Sequence, residues 1–225
     1  MNIGPDEVES SWAGLRPLIH EDGKSPTEIS RKDEIFVSES GLISIAGGKL
    51  TGYRKMAEHV LDVVVMQLNE EQGRQYPGSR TKHLPISGGD LGGADGFRTF
   101  VTEKVEEGRI LGLSKELSEK LIHRYGSNVD TVFFLFKNGK SIARTKDMDP
   151  LVYAQLRYSI DHELIYKPTD FFIRRTGALY FDLQWVQTHK ETVCRFLEQE
   201  FNWTEEQAVR YAIELEDAIN DATLV

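Results

Sequence analysis

The residues of this sequence that are best suited to chemistry are cations and glycines within its first sixty positions. Arg16 lies in the segment Trp12–Pro17, Arg31 follows a serine, and Lys49 follows the pair Gly47-Gly48. A glycine pair lets a ligand approach the main chain, and a helix that begins just after it presents free N–H donors with a positive partial charge. The pattern therefore predicts a site for an anionic or electron-rich ligand around Lys49.

A simpler interpretation exists for the same cations. Most lysines and arginines of a folded protein are solvated surface charges. That description fits all four basic residues of this region: Arg16, Arg31, Lys49 and Arg54. Only the glycine pair ahead of Lys49 favours a ligand, so both interpretations stay open at this point.

The elements around Lys49 are predicted to be a β-hairpin, a glycine turn and a helix. Residues 34–37 and 42–45 are apolar or alternate, and the turn between them contains a glycine, which favours two paired strands. After the glycine pair, apolar residues recur at helical spacing: Ala57, Val60, Leu61, Val64 and Leu68.

The rest of the chain is predicted to be a linker and a helical domain. Glycines and prolines interrupt residues 70–96. Beyond them, Ser114 and Asp149 are expected to cap helices, and Thr204 begins a capping box with Gln207. The predicted fold class is mostly α, with a helical C-terminal domain over residues 97–225 and an incomplete α+β remnant over residues 1–69.

Several common motifs are absent. A Walker loop needs a glycine five residues before the glycine of its Gly-Lys pair, where the Gly-Lys pairs of this chain have Leu18, Ile43 and Phe134. No G-x-G-x-x-G occurs, and the six histidines are scattered singly. We therefore predict no metal site and assign no catalytic residue within this chain.

Composition and charge exclude further classes of protein. The 225 residues carry 27 Lys and Arg against 36 Asp and Glu, a net charge of −9, which disfavours binding to nucleic acid. The apolar runs are far shorter than the ~20 residues of a membrane span. The acidic N-terminus does not look like a signal peptide, and the single cysteine, Cys194, cannot form an intrachain disulfide. A cytoplasmic chain is expected.

Two blocks near the start of the chain carry a resemblance to a known family. Ser11–Leu18, followed by Ser30-Arg31, and then Ile45–Glu58 resemble the aerobic, FAD-dependent glycerol-3-phosphate dehydrogenases in order and spacing. Three later segments resemble the helical C-terminal domain of that family: Tyr125–Ser127, Ile160–Glu163 and Asp170–Thr176. The resemblance covers the last part of the family's chain, without its dinucleotide-binding unit. We therefore expect a fragment that begins inside a domain.

The resemblance implies roles for the residues of the glycine turn. Lys49 and Arg16 would lie at the substrate beside the flavin, and Arg31 would pair with the substrate phosphate through parallel hydrogen bonds. The cofactor contacts would be four backbone N–H groups: Gly48, Lys49, Leu50 and Thr51. These donors would face the pyrimidine edge of the flavin, where they stabilise the charge that develops at N1 and O2 on reduction.

The resemblance also implies an activity for the complete enzyme. It would oxidise sn-glycerol 3-phosphate to dihydroxyacetone phosphate, with hydride passing to flavin N5 and electrons continuing to a quinone. FAD is not expected on this chain alone, which needs the missing N-terminal FAD-binding region and should be inactive by itself. The resemblance leaves open a homo-oligomer and a peripheral position on the inner face of the cell membrane.

Two other functions stay open at this point. One is a stand-alone, acidic helical module that docks another protein, with residues 1–69 as its packing partner. The other is a glycerol-3-phosphate oxidase that uses oxygen in place of quinone.

Residues 97–225 are expected to have structural roles. We expect Arg174 and Arg175 to pair with acidic residues such as those of Ile160–Glu163, and Cys194 to be an inert thiol. The aromatic run is expected to belong to the core: Phe133, Phe134 and Phe136.

Overall fold

The computed structural model describes residue 4 and residues 7–15, 33–47 and 50–223. By its internal contacts the chain divides into two compact units. The hairpin unit spans Gly14–Leu84, and the helical unit combines Met1–Ala13 with Pro85–Val225. The predicted boundaries differ from this division, because the first thirteen residues group with the helical unit. That residues 1–69 belong to an FAD- and substrate-binding domain stays a prediction.

The hairpin unit begins with two short antiparallel strands. β1 (Glu34–Val37) pairs with β2 (Ile43–Ala46), with Glu34 opposite Ala46 and Val37 opposite Ile43. Gly41 in the connecting turn has a φ of +82°, which favours glycine. The second strand is shifted by one residue from the prediction, because the pairing begins opposite Val37 at Ile43 and leaves Leu42 in the turn.

A helix follows the hairpin, as the sequence predicts. A single 3₁₀ turn, Leu50–Gly52, leads into α1 (Tyr53–Gln72), which extends into the predicted linker. Gly73 ends the helix in the left-handed conformation and donates its N–H to the carbonyl oxygen of Asn69. A second 3₁₀ turn spans Thr81–His83.

The described residues of the hairpin unit have no buried core. Every one of them is exposed or half-buried. Large apolar side chains on its surface include Phe36, Leu42, Leu50, Tyr53, Leu61 and Met66. The amphipathic helix α1 and the hairpin therefore leave apolar surface uncovered within their own unit.

The helical unit is built from a series of helices: α2 (Gly93–Ile110), α3 (Lys115–Tyr125), α4 (Val129–Thr145), α5 (Pro150–Glu163), α6 (Ala178–Phe181), α7 (Leu183–Phe201) and α8 (Glu205–Thr223). A 3₁₀ turn, Gly126–Asn128, joins α3 to α4, and a π-helical turn, Asp170–Arg175, lies between α5 and α6. The prediction of a mostly α fold with a small β-hairpin is confirmed.

The predicted caps of α3, α5 and α8 are confirmed. Ser114 Oγ accepts from Leu117 N at 3.1 Å, and Asp149 Oδ1 accepts from Leu151 N at 2.8 Å. Thr204 and Gln207 form a reciprocal capping box, with side chain to backbone distances of 3.0 and 3.2 Å.

The core of the helical unit consists of two clusters of buried side chains. The first contains Leu156, Phe171, Phe172, Leu179, Leu197 and Leu215, and the second contains Leu121, Ile122, Val129, Val132 and Phe133. Phe133 and Phe136 are buried as predicted. Phe134 is exposed, so its assignment to the core was wrong: its side chain points away from the face of α4 that packs.

Part of the predicted linker is a packed segment of the helical unit. Gly88 O accepts a hydrogen bond from Ser127 N at 3.0 Å, and Ser87 Oγ accepts one from Asn128 Nδ2 at 2.8 Å. The glycines of this segment serve close packing as well as turns.

Among the helices of residues 50–223, none combines the length and the apolar character of a membrane span.

Candidate functional site

Most of the predicted ligand-binding residues lie outside the described residues, namely Arg16, Arg31, Gly48 and Lys49. Leu50 and Thr51 are described, and both are exposed at the 3₁₀ turn before α1. What the structure defines is therefore the frame of the predicted site: the end of β2, the turn, and the first residues of α1. The predicted substrate and flavin contacts stay predictions.

Gly47, directly after β2, lies against the side chains of Asp33 and Met56. A Cβ atom at this position would lie 2.6 Å from Asp33 Oδ1 and 2.6 Å from Met56 Cε. Both distances are inside van der Waals contact, so a side chain here would make the Asp33 and Met56 side chains move aside. Because both are flexible, packing does not by itself require glycine at this position, and close approach by a ligand stays a prediction.

The N-terminus of α1 carries no side-chain cap. Gly52 occupies the N-cap position, where it has no side-chain oxygen to accept from the first N–H groups of the helix. The first turn of α1 contains no acidic residue. Leu50, two residues earlier, is 89% exposed. An uncapped helix N-terminus beside an accessible turn favours an electron-rich group. Of the predicted donors, Leu50 and Thr51 belong to the 3₁₀ turn before α1, and their contact with a flavin ring stays a prediction.

Arg54 is occupied within the hairpin unit. Its guanidinium Nη1 lies 2.5 Å from Glu58 Oε2 and 3.1 Å from Thr81 Oγ1. Lys55 also contacts the Glu58 carboxylate. Hydrogen bonds from Lys55 and Arg54 lower the pKa of Glu58 to about 2. Of the four cations singled out in the sequence, Arg54 is thus already neutralised, as its i,i+4 spacing from Glu58 could have suggested.

The segment before Arg16 is held by the helical unit, which local sequence patterns did not predict. The Trp12 ring lies 5.1 Å from that of Tyr180 and 5.2 Å from that of Phe181, between ring centroids. Ser10 Oγ donates to Tyr180 O at 2.7 Å, and Ser11 N donates to Ala222 O at 2.7 Å. No periodicity of the sequence indicates contacts over such separations.

The three family-like segments of the helical unit meet around a polar cleft of about 380 Å³, lined in part by Arg124, Tyr125, His162 and Arg175. Arg175 Nη2 donates to Glu163 O at 2.8 Å, and Arg124 Nη2 donates to Thr176 O at 2.9 Å. Arg175 Nε also lies 3.9 Å from Glu163 Oε2, so the predicted pairing with the acidic Ile160–Glu163 segment is confirmed for Arg175. Arg174 instead pairs with Asp170, one turn earlier.

Neither the Cys194 thiol nor the candidate metal-ligating side chains of the described residues form a reactive site. Burial raises the pKa of the Cys194 thiol to about 11, which disfavours the nucleophilic thiolate and agrees with the predicted inert role. Within residues 50–223 and the shorter described segments, no cluster of His, Cys, Asp and Glu has the arrangement of a metal site.

Comparison with known proteins decides the family. Residues 79–208, more than half of the chain, match the family described as the C-terminal domain of alpha-glycerophosphate oxidase. The chain belongs to this family. The resemblance read from the sequence is confirmed, since curated relatives are named aerobic glycerol-3-phosphate dehydrogenase.

Two of these relatives define the extent of the match. The Bacillus subtilis (strain 168) protein is 49% identical over 224 residues, which is 100% of this chain and 40% of the relative. The Staphylococcus haemolyticus (strain JCSC1435) protein is 47% identical over 99% of this chain and 40% of its own length. The chain thus spans about two fifths of the length of the relatives it matches.

A solved structure shares the fold. The glycerol-3-phosphate dehydrogenase from Bacillus halodurans, complexed with FAD, matches with a TM-score of 0.86 at 45% identity. The match covers 100% of this chain and 42% of that chain. The fold described above is therefore the fold of part of that enzyme.

Proposed function

We propose that this chain is the C-terminal part of an FAD-dependent glycerol-3-phosphate dehydrogenase. The complete enzyme would oxidise sn-glycerol 3-phosphate to dihydroxyacetone phosphate and pass the electrons through FAD to a quinone. The observation that carries the proposal is the match of this whole chain, at 45% identity, to 42% of a dehydrogenase complexed with FAD. Identities of 49% and 47% to aerobic glycerol-3-phosphate dehydrogenases support the same activity.

The uncovered apolar surface of the hairpin unit supports a larger domain. A helix with the amphipathic pattern of α1 is stabilised mainly by burying its apolar face. Within the described residues, that unit buries none of its side chains. A remnant that completes its core against the missing FAD-binding region accounts for this surface, whereas a self-sufficient interaction module would leave it exposed to water.

In the proposed enzyme this chain binds and orients the substrate. Arg31 holds the phosphate, because a planar guanidinium can donate two parallel hydrogen bonds to it. Lys49 and Arg16 orient the remainder of the substrate beside the ring. The N–H groups of residues 48–51 face the flavin, whose bound form supplies the hydride acceptor. The uncapped N-terminus of α1 fits that group, because its positive partial charge favours an electron-rich ring.

The first experiment measures the steady-state kinetics of the complete enzyme. Arg31→Ala should raise the KM for glycerol 3-phosphate by about 10-fold or more, because a charge-assisted hydrogen bond to phosphate is lost. Lys49→Ala should lower kcat/KM by a similar factor. Lys82→Ala, which removes an exposed cation of the same unit, is the matched control. Wild-type kinetics in both site variants would refute the assigned roles.

A second measurement tests the division of labour between this chain and the missing region. The purified 225-residue chain should show no flavin absorbance near 450 nm and no dehydrogenase activity. Stoichiometric FAD on this chain would contradict the assignment of most cofactor contacts to the missing region.

The electron acceptor separates a dehydrogenase from an oxidase. The family description names an oxidase, whereas the relatives are named dehydrogenases. Turnover with a soluble quinone under nitrogen, without hydrogen peroxide formation in air, would support the proposed acceptor. Peroxide formed in proportion to product would support oxygen instead. Long-chain quinones dissolve in lipid. The complete enzyme would therefore act in the cytoplasm at the inner face of the membrane, where it can reach them.

A further inference from the structure

We propose that Trp12 is a positioning residue, through which the helical unit holds the segment that leads to Arg16. The inference rests on the proposed function, in which Arg16 lies at the substrate. It gives the helical unit a role in the reaction that the chemistry of its own side chains does not provide.

The anchor consists of consecutive residues attached to two elements of the helical unit. The Trp12 ring contacts Tyr180 at 5.1 Å with a 38° tilt, and contacts Phe181 edge-on at 5.2 Å. Aromatic pairs attract at such separations in both tilted and edge-on arrangements. Ser10 Oγ donates to the carbonyl of Tyr180 at 2.7 Å. Trp12 and Ser10 therefore both attach to α6.

The backbone contributes a second point of attachment. Ser11 N donates to the carbonyl oxygen of Ala222 at 2.7 Å, in the last turn of α8. Such a carbonyl has no N–H donor within its own helix, so the anchoring segment also caps the C-terminal helix. The segment is thus fixed between α6 and α8.

The residues just after Trp12, Ala13 to Leu15, are exposed. Ala13 is the last residue that groups with the helical unit, and Gly14 is the first of the hairpin unit. No atom lies within 4 Å of a Cβ built on Gly14, and the Leu15 side chain is fully exposed. In this stretch, Trp12 is therefore the last side chain with a packed aromatic contact before Arg16.

Arg16 follows Trp12 by four residues in the sequence, so the anchor acts on the segment that carries Arg16. In the proposed enzyme, releasing Trp12 from α6 frees this segment from the helical unit and lowers the fraction of molecules in which Arg16 is placed to bind. Apparent affinity falls by that fraction, while the rate at saturation is kept. Loss of the anchor should therefore act on KM more than on kcat.

Phe181 offers an independent way to release the anchor. It lies 169 positions after Trp12, and its ring is 75% exposed, so truncating it leaves the buried core intact. If Trp12 acts through α6, Phe181→Ala should reproduce the effect of Trp12→Ala. If Trp12 acts at the substrate itself, Phe181→Ala should have no effect.

The experiment measures KM and kcat for glycerol 3-phosphate in the complete enzyme. Trp12→Ala and Phe181→Ala should each raise KM by about 5–10-fold with kcat within about twofold of wild type. The double variant should resemble the stronger single variant, because both remove one contact. Trp12→Phe should restore most of the affinity. Phe134→Ala, which truncates another exposed ring of the helical unit, is the matched control and should behave as wild type.

A second measurement reports on the anchor without relying on enzyme activity. Hydrogen exchange at the Ser11 amide should accelerate in Trp12→Ala and Phe181→Ala, and should be unchanged in Phe134→Ala. Wild-type KM in Phe181→Ala, additive effects in the double variant, or unchanged exchange at Ser11 would each overturn the inference. A wild-type enzyme inactive on glycerol 3-phosphate would instead refute the proposed function and the inference that rests on it.

Discussion

Gly126 and Gly88 approach each other so closely that neither position has room for a side chain. A Cβ atom on Gly126 would lie 2.0 Å from Gly88 O, and one on Gly88 would lie 2.6 Å from Tyr125 O. Both residues have positive φ, at +53° and +82°. The contact fastens the segment before α2 to the turn between α3 and α4, and the neighbouring Ser127 N donates to Gly88 O.

Replacing Gly126 by alanine should therefore destabilise the helical unit. We expect Gly126→Ala to lower the free energy of unfolding by at least ~2 kcal/mol, because backbone strain and a clash with the main chain add. Urea denaturation followed by far-UV circular dichroism measures this loss. Gly112→Ala is the control, because its φ is +92° but nothing lies within 4 Å. It should lose only about 1 kcal/mol from strain, and equal losses in the two variants would contradict the role of crowding.

Gly139 tests whether close packing outweighs helix propensity. Alanine in place of a helical glycine gains about 1 kcal/mol in propensity. A Cβ here would lie 2.5 Å from Cε1 of the buried Tyr153 ring, and overpacking of this kind costs about 1–3 kcal/mol. We expect Gly139→Ala to lower the urea midpoint, whereas Lys137→Ala at an exposed position of α4 should change it little. A higher midpoint in Gly139→Ala would mean that Tyr153 moves aside freely.

The ion pairs of Glu58 predict a pH dependence of the hairpin unit. The folded pKa of Glu58 is lowered to about 2 from an ordinary 4.5, chiefly by hydrogen bonds from Lys55 and Arg54. A lowered pKa means that the pairs stabilise the folded state above pH 4.5 and lose that effect as the pH falls towards 2. NMR titration of the Glu58 carboxyl should give a midpoint near 2. Salt at 1 M should raise it, because exposed charges are screened. A midpoint near 4.5 at low salt would show that the pairs do not form.

Cys194 should react slowly with thiol reagents. Its pKa of about 11, raised mainly by burial, leaves very little thiolate at neutral pH. We expect alkylation by iodoacetamide at pH 7.5 to be at least ~10-fold slower than for glutathione, and to accelerate in 6 M urea. The rate in urea serves as the internal control. A native rate equal to that of a free thiol would place Cys194 at an accessible surface.

Local signals in the sequence were sufficient for most of the secondary structure. Caps at Ser114, Asp149 and Thr204 could be predicted because a capping bond joins residues two or three positions apart. The end of α5 at Glu163 is not apparent from local sequence patterns. Leu164 continues the apolar stripe in sequence, yet it adopts a φ of +56° and is exposed, so the helix ends at Glu163.

The family was evident in the sequence because it is marked by motifs, whose residues are adjacent or regularly spaced. The packing of individual side chains was not evident from the sequence. The ring of Phe134 faces solvent between two buried phenylalanines, since neighbouring helical positions point in different directions. For Arg54, both a solvated charge and a ligand-binding cation were open from the sequence, whereas its contacts with Glu58 and Thr81 appear only in the structure.

By itself, the sequence determined a strand, glycine turn and helix unit followed by a helical domain, and it identified the family. Only the tertiary structure decided that Gly47 lies against the side chains of Asp33 and Met56, and that Trp12 packs with Tyr180 and Phe181 rather than with the residues that follow it. The physical reason is separation along the chain. Capping and periodicity act over a few residues, whereas these contacts form only after distant segments have folded together.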